Sequence, residues 1–476
     1  MLFLDASIIA LMVGYKYPTK SIARNAPVEN LEEQLTMEKT SKNKQVSFWA
    51  LIWLLGLAGQ LCWNMENQWF NTFVYAKIAK DPTIISWMLA ISAIATTVST
   101  FLFGCVSDRK GNRKSLVSIG YILWGIFTIL FGTTEFLRSS DNASIIGVAF
   151  AVIAADAIMS FFGSMGNDIG FNAWINDHMT PENSGSLGAA LAVQPVIGTI
   201  AGTILGGLLI GSNDNYMRLF IVIGGSVILL GLLSLFAMKD VETLRPSVKG
   251  SFSEQFFSIF NIKEYLKHRE LVYVNLMLAV YFISFNVYFS HLGNFMIYYL
   301  GFTADTMGLI EGVGLLIAMF TTIPAIRLIQ ADKSSLIILV AIIINSIGLL
   351  IIGLFVSPAN VNPATIWNPH LLAGVLFVGI GYILFLQTIT VWSKRLYPED
   401  ARGQFEGIRI IFYVLIPMVV APLISNPIIK KSGEFVDEYG FTEYLPTNSV
   451  FLAGVIIVLL TLIPLIAATK EHKKAV

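Results

Sequence analysis

The sequence predicts an all-α membrane protein, with twelve transmembrane helices arranged as two six-helix pseudo-repeats. Three observations carry that prediction. Twelve long apolar stretches fill most of the 476 residues. Hydrophobic residues make up 55% of the chain and charged ones only 13%, where a soluble domain carries about 25% charged residues. Short motifs also recur at a nearly constant offset in the two halves, which a charged central segment separates. A bilayer core of roughly 30 Å takes about 20 apolar residues per helix, so twelve such runs are not the core of a soluble domain. The short connections leave little room for an extramembrane catalytic domain.

In chain order, residues 1–45 read as a cytoplasmic N-terminal extension. Met1–Gly14 is apolar but carries Asp5, and its basic residues Lys16, Lys20 and Arg24 follow it rather than precede it. A signal peptide has its positive charge first, and fourteen residues are few for a span. Met37 opens a short basic lead into the first strong apolar run, so residues 1–36 are expected to be dispensable. The spans are then expected at 46–78, 83–106, 115–136, 145–175, 186–211 and 216–238 in the first half. Those of the second half are expected at 271–300, 304–329, 335–356, 370–396, 403–425 and 448–468. Asp81-Pro82 should start the second helix, with Pro at its first position, and Asp305 should cap the eighth. The halves thus cover 46–238 and 271–468, followed by a cytoplasmic tail at 469–476. Between them, residues 239–270 carry six basic side chains together with Phe252, Phe256, Phe257, Phe260 and Leu266. That helical spacing predicts an amphipathic helix on the membrane surface.

Basic residues set orientation, because positive loops stay cytoplasmic. With the N-terminus inside, only Lys77, Lys80, Arg138, Arg218, Lys430 and Lys431 of the 31 Lys and Arg fall outside. Both termini are therefore expected in the cytoplasm, with the protein in the plasma membrane. The formal net charge is zero, which gives no case for nucleic-acid binding. Cys62 and Cys105 sit in different spans and read as small packing residues; no metal-type Cys/His spacing occurs. No nucleophile–base pair or phosphate loop points to an enzyme, and no cofactor is expected.

The repeat appears most clearly after the fourth and tenth spans. Trp174-Ile-Asn-Asp-His-Met-Thr-Pro181-Glu182 is echoed by Trp392-Ser-Lys-Arg-Leu-Tyr-Pro398-Glu399, the Trp and Pro pairs standing at almost the same separation. Asp108 has a counterpart in Asp332 at a similar distance along the chain. Parallel six-helix repeats are a transporter architecture. Between the second and third spans stands Gly104-Cys-Val-Ser-Asp108-Arg109-Lys-Gly111-Asn-Arg113-Lys114. This run resembles the loop 2–3 signature of the major facilitator superfamily, and the resemblance extends over nearly the whole chain from about residue 46. It implies alternating access, with Asp108, Arg109 and Arg113, framed by Gly104 and Gly111, acting as a cytoplasmic gate. The second-half copy departs from the pattern: Asp332-Lys333 lacks the glycine and the basic run, and Ser184 stands where Arg402 stands in the other half. Gly198, Gly202, Gly206 and Gly211 in the fifth span permit close helix approach. They do not reproduce the Gly-Pro-centred motif of the superfamily's antiporters, which favours symport or uniport.

An ionisable residue inside a span is costly and marks function. Glu66 lies in the first span, Asp156 and Asp168 in the fourth, His291 in the seventh and Glu311 in the eighth. Since the resemblance puts spans one and four along the cavity, Glu66 and Asp156 are the expected cation-coupling carboxylates. His291, a side-chain type whose unperturbed titration lies near physiological pH, is a further candidate. Glu311 is expected to face an outer vestibule. Trp63, Asn67 and Asn71 in span one, Asn286 and Asn294 in span seven, and Tyr382 and Gln387 in span ten form the expected substrate surface. Amides match the hydroxyls of a sugar, and aromatic faces stack on its C–H face. A phosphorylated or dicarboxylate solute would want a mid-span Arg or Lys, whereas Arg327, Lys394 and Arg409 sit at span ends. Within the superfamily the chain looks most like the sugar–cation branch, including the glycoside–pentoside–hexuronide symporters. The expected partners are therefore a small neutral solute, H+ or Na+ and the bilayer, with the protein a monomer. A drug or metabolite exporter, or a uniporter, on the same fold is the alternative.

Overall fold

The computed structural model describes residues 28–138, 144–180, 182–241, 244, 246, 250–252, 262–322, 324–331, 333–397, 402–437 and 440–475. Among the described residues, twelve helices are long and apolar enough to cross a bilayer. In the first half they are α1 (Val46–Ile78), α2 (Pro82–Lys110), α3 (Arg113–Arg138), α4 (Ile145–Asp177), α5 (Ser184–Ile210) and α6 (Tyr216–Ala237). In the second half they are α7 (Arg269–Tyr299), α8 (Ala304–Thr322), α9 (Ser334–Phe355), α10 (Pro369–Arg395), α11 (Gly407–Ser432) and α12 (Ser449–Lys474). We call the membrane face at the start of α1 and the end of α12 the termini side, and the opposite face the far side.

Local chemistry sets several of these boundaries. Asp81 accepts from the Thr83 amide at 2.9 Å, and Pro82 takes the first helical position of α2. Gly111 ends α2 in the left-handed region (φ 60°, ψ 40°), where a glycine bears no Cβ penalty. Asn112 then caps α3 through the Ser115 amide at 3.0 Å. The Gly-Asn pair of the signature is thus the tight turn itself. Asp305 does not cap α8: the helix begins at Ala304, and the Met307 amide bonds to the Thr303 carbonyl at 2.9 Å. That places Thr303 at the cap and Asp305 inside the first turn. A separate short helix, Ala325–Gln330, follows α8 in place of one span reaching 329. Pro324 lies at this break, where its missing N–H interrupts the ladder.

The halves repeat in their packing. The α2–α4, α3–α4 and α3–α6 pairs of the first half correspond to α8–α10, α9–α10 and α9–α12 of the second. The two repeat tryptophans do matching work. Trp174 Nε1 donates to the Lys239 carbonyl at 2.8 Å, just beyond α6. Trp392 Nε1 donates to Glu270 at 2.7 Å, beside His472 at the end of α12. The second copy of the Pro-Glu motif and Asp332 lie outside the described residues. The halves meet along α5–α8 and α2–α11, with α1 against α7.

The glycines of α5 let it lie almost on the backbone of α1. A Cβ added at Gly198, Gly202 or Gly206 would come within 2.5 Å of Gln60, 2.5 Å of Asn64 and 2.1 Å of Trp69 respectively. Trp69 is fully buried there and donates Nε1 to the Gly202 carbonyl at 3.2 Å. Cys62 and Cys105 are buried free thiols.

Two features differ from the sequence reading. The fold is all-α as expected, with one local addition: β1 (Glu434–Val436) and β2 (Thr442–Tyr444) pair antiparallel in the α11–α12 connection. The helix entering α1 already begins at Val28, so Met37 lies within it. The middle of the expected amphipathic helix of 239–270, residues 253–261, lies outside the described residues. Its described end is a helical turn, Ile262–Tyr265, whose Tyr265 packs with Leu271, Phe405 and Ile408.

Candidate translocation site and gates

α1, α4, α7 and α11 share a local feature. Each contains π-helical turns: Glu66–Phe70 and Val74–Ile78 in α1, Ser164–Phe171 in α4, Phe295–Tyr299 in α7 and Ile411–Leu415 in α11. Such turns loosen the i→i−4 ladder and cluster at functional sites. Glu66 and Asp168 both lie within them.

A polar chain crosses the first half beside these turns. Glu66 Oε1 accepts from Ser160 Oγ at 2.6 Å. Ser160 Oγ lies 2.7 Å from Ser92 Oγ, which donates to Asp156 Oδ2 at 2.6 Å. Two carboxyls on α1 and α4 are therefore joined by two hydroxyls on α4 and α2. All four side chains are buried; Glu66 is 7% exposed and Asp156 2%. Glu66 Oε2 and Asp156 Oδ1 have no hydrogen-bond partner among the described residues. The chain therefore presents two unsatisfied oxygens of the kind a proton or small cation would satisfy. Two charges in this setting are costly without such a partner. The sequence reading singled out both carboxyls but missed the serines. Their signal is faint: Ser160 lies one turn beyond Asp156, and Ser92 heads a run of small hydroxyls on α2.

Asp168 lies lower on α4, half-buried and held by the Asn167 amide at 3.2 Å. Trp63 itself stacks obliquely on Trp124, centroids 5.0 Å apart. His291 does not join the carboxyls. It is turned to α11, where Nε2 lies 3.2 Å from Ser425 Oγ, and its Nδ1 is unpartnered among the described residues.

The amides expected to meet solute divide into two groups. Asn71 and Asn294 hold helices together. Asn71 Nδ2 donates to the Ser290 carbonyl at 3.0 Å, and Asn294 Nδ2 to the Asn71 carbonyl at 3.2 Å. Both are at most 1% exposed, so their donors serve the α1–α7 contact. Asn67 and Asn286 donate one turn back along their own helices, to Trp63 at 2.7 Å and Phe282 at 2.8 Å. Asn67, Tyr382 and Gln387 are half-buried. Tyr382 stacks on Phe285 at 5.0 Å and lines a small cleft with Pro195, Thr199 and Leu315, between the halves.

Glu311 does not face a vestibule. It is 3% exposed and bridges the halves, with Oε2 accepting from Gln68 Nε2 of α1. Gln68 Oε1 in turn accepts from Thr203 of α5 at 3.0 Å. The same far side carries a surface clasp. Lys80 Nζ pairs with Glu443 at 2.7 Å, Lys430 with Asp81 at 3.6 Å, and the Tyr444 amide bonds to the Lys80 carbonyl at 2.9 Å. The β-hairpin is thus pinned to the α1–α2 turn. Sequence reading missed this clasp because its partners lie in opposite halves of the chain.

On the termini side, Arg113 is buried between two carboxylates of the first half. It pairs with Asp108 at 2.9 Å and with Asp177 at 2.9 Å. Asp177, at the end of α4, was not expected. Arg109 donates to the Gly250 carbonyl of the central connection at 3.1 Å. A Cβ at Gly104 would meet nothing within 4 Å, which leaves this face of α2 open.

The family model of the Major Facilitator Superfamily matches residues 52–415. The chain belongs to that superfamily. It is accordingly a transporter and not an enzyme, and a multi-pass membrane protein that handles a small-molecule solute. The fold recurs in solved structures. A crystal structure of the nucleoside transporter NupG superposes with TM-score 0.61 at 14% identity, covering 88% of this chain and 99% of that one. A bacterial homologue of the human lysosomal transporter Spinster gives TM-score 0.61 at 14% identity, with 90% and 98% covered. The E. coli xylose transporter XylE gives 0.56 at 17% identity, with 87% and 95% covered. No curated protein matches this chain in sequence.

Proposed function

We propose that this superfamily member is a secondary active transporter that moves a small neutral polar solute, a sugar, together with H+ or Na+. The observation that carries the reading is the buried Glu66–Ser160–Ser92–Asp156 chain. Intramembrane carboxyls are costly and persist where they serve an ion pathway. Here two of them share hydroxyl donors across three helices, and each keeps one oxygen without a partner among the described residues. A bound cation satisfies those oxygens, and its loss restores the unfavourable pair, so occupancy biases one conformation over another. His291 is kept as an accessory polar contact, since it faces Ser425 rather than the carboxyls.

The solute class follows from the side chains rather than from the structural relatives, whose low identity speaks to fold alone. Trp63, Asn67, Asn286, Tyr382 and Gln387 offer amides and aromatic faces, and no Lys or Arg stands mid-span among them. A neutral polyhydroxylated solute fits that lining better than an anion, which would want a fixed cation. Asn71 and Asn294 close the far side instead of contacting solute. Asp108, Arg109 and Arg113 form the termini-side gate, with Arg113 held by Asp108 and Asp177 in this conformation. Gly104 leaves room for a helix of the second half to approach when the gate closes. The termini face the cytoplasm, in keeping with the basic residues on that side. Reconstitution in liposomes with a labelled sugar panel, imposing proton and sodium gradients separately, tests the reading. Accumulation of a sugar under one gradient is expected. Uptake that ignores both gradients would leave a uniporter.

A further inference from the structure

Among the described residues, Glu311 is the spanning carboxyl that joins the two halves, and nothing in the coupling scheme uses it. It lies two turns into α8 from the far-side start, 3% exposed. Its Oε2 accepts from Gln68 Nε2, and its Oε1 has no partner among the described residues. Gln68 is 1% exposed and oriented by Thr203, which also donates to Asn64 Oδ1 at 3.3 Å. The contact is therefore a positioned donor from α1 meeting a carboxyl from α8. It is assembled only while α1, α5 and α8 are together. Around it the packing is tight: a Cβ at Gly308 would lie 2.6 Å from the Thr203 carbonyl, and one at Gly312 2.2 Å from Ile204.

No cation among the described residues compensates this carboxyl. Of the titratable groups on the helices around α8, Glu66 bonds to Ser160, His291 lies against Ser425, Tyr382 against Phe285 and Tyr75 against Tyr298, while His370, exposed at the far-side start of α10, lies against Phe355. α5 turns Thr203 and Ile204 toward this part of α8, and α10 packs Val375 against Gly314. On α8 itself, Asp305 lies in the first turn, well short of Glu311. A lone ionised carboxylate in such a place is strongly disfavoured, and a buried group of this kind neutralises instead. When the halves part on the far side, the same carboxyl meets water and ionises freely.

We propose that Glu311 and Gln68 form a proton-dependent clasp that holds the far side closed. A proton from far-side water binds the Glu311 carboxyl as the halves meet, and returns to water when they separate. Gln68 Nε2 donates to the neutral carboxyl and fixes it in place. Closure thereby takes up one proton, and its equilibrium shifts by up to about tenfold per pH unit across the titration. The inference rests on alternating access alone. Its failure leaves the coupling role of Glu66 and Asp156 standing, and the reverse also holds.

Spin-label distance measurements test it on the full-length protein in lipid nanodiscs, without solute. The native cysteines, Cys62 and Cys105, are replaced by alanine. Labels are placed at exposed far-side positions of opposite halves, through Ser212→Cys and Ala364→Cys. A short distance at acid pH should give way to a longer one as pH rises, and Glu311→Gln should stay short throughout. A Glu311→Gln protein that titrates with the parent's midpoint overturns the proposal, as does a parent distance indifferent to pH. If Glu311→Gln does not fold, Gln68→Leu serves. Losing the donor weakens the closed state, so its midpoint should move to lower pH; an unmoved midpoint overturns the clasp.

Discussion

Ser160→Ala probes the carboxyl chain without touching either carboxyl. Ser160 Oγ donates to Glu66 Oε1 at 2.6 Å, and Glu66 Oε2 has no partner among the described residues. The substitution removes one oxygen from a fully buried site and leaves Glu66 with neither oxygen paired there. A hydrogen bond to a charged group contributes roughly 1.5–3 kcal/mol, and stranding a buried partner costs about 1–3 kcal/mol. The ionised form of Glu66 bears that loss, and the cation-bound form bears much less. A differential of about 1–3 kcal/mol changes an affinity roughly 5- to 150-fold. The half-saturating cation concentration for gradient-driven uptake should therefore move by that factor. If the cation is a proton, it should fall, because the ionised form has lost its donor. Uptake in proteoliposomes at a series of cation concentrations measures this, with solute counterflow as the control for an intact binding site. A folded Ser160→Ala protein with full counterflow and an unmoved cation dependence would refute the reasoning.

Other expectations follow from the packing and the gates. Gly206→Ala puts a Cβ 2.1 Å from Trp69 Nε1. Overpacking costs about 1–3 kcal/mol and outweighs the roughly 0.5–1 kcal/mol that Ala gains in a helix, so thermal unfolding in detergent should occur at lower temperature. Arg113→Gln breaks both 2.9 Å pairs, to Asp108 and Asp177. Exchange between the two accessibility states should change in rate while equilibrium solute binding is retained; time-resolved accessibility labelling reads both. Glu443→Gln loosens the hairpin clasp. Lys80 and Glu443 are only 30% and 22% exposed, but the pair stands at the surface, where about 0.2–1 kcal/mol is typical and salt screens it. Far-side opening should rise a few-fold at low ionic strength and little at high.

The fold was legible because a bilayer imposes a one-dimensional rule: apolar runs of sufficient length. Turn chemistry sharpened it at Asp81-Pro82, where one side chain satisfies one amide. The rule fails where an end is set by backbone alone, as at Thr303, or by an interior break, as at Pro324. The site was half legible. Glu66 and Asp156 stand out as charges in apolar helices, but serine is ordinary in such helices, so Ser92 and Ser160 gave only a faint signal. Asn71 and Asn294 looked like solute ligands because composition does not distinguish an amide facing solute from one crossing to a neighbouring helix. Glu311 was misread for a related reason. Its burial depends on Gln68, far earlier in the chain, and only the packing of the halves reveals that contact. The β-hairpin, two strands of three residues each, is too short to leave a periodic signal.

The central claim is that carboxyls of the first half couple solute movement to a cation. Asp156→Asn tests it most directly, since the amide keeps the size and the Ser92 contact but carries no charge. With Glu66→Gln as its companion, each variant is assayed in liposomes for gradient-driven accumulation and for counterflow of the same labelled sugar. The account predicts that at least one variant loses accumulation while keeping counterflow, because exchange needs no net cation movement. Accumulation by both variants equal to the parent's, with the same proton and sodium dependence, would contradict it.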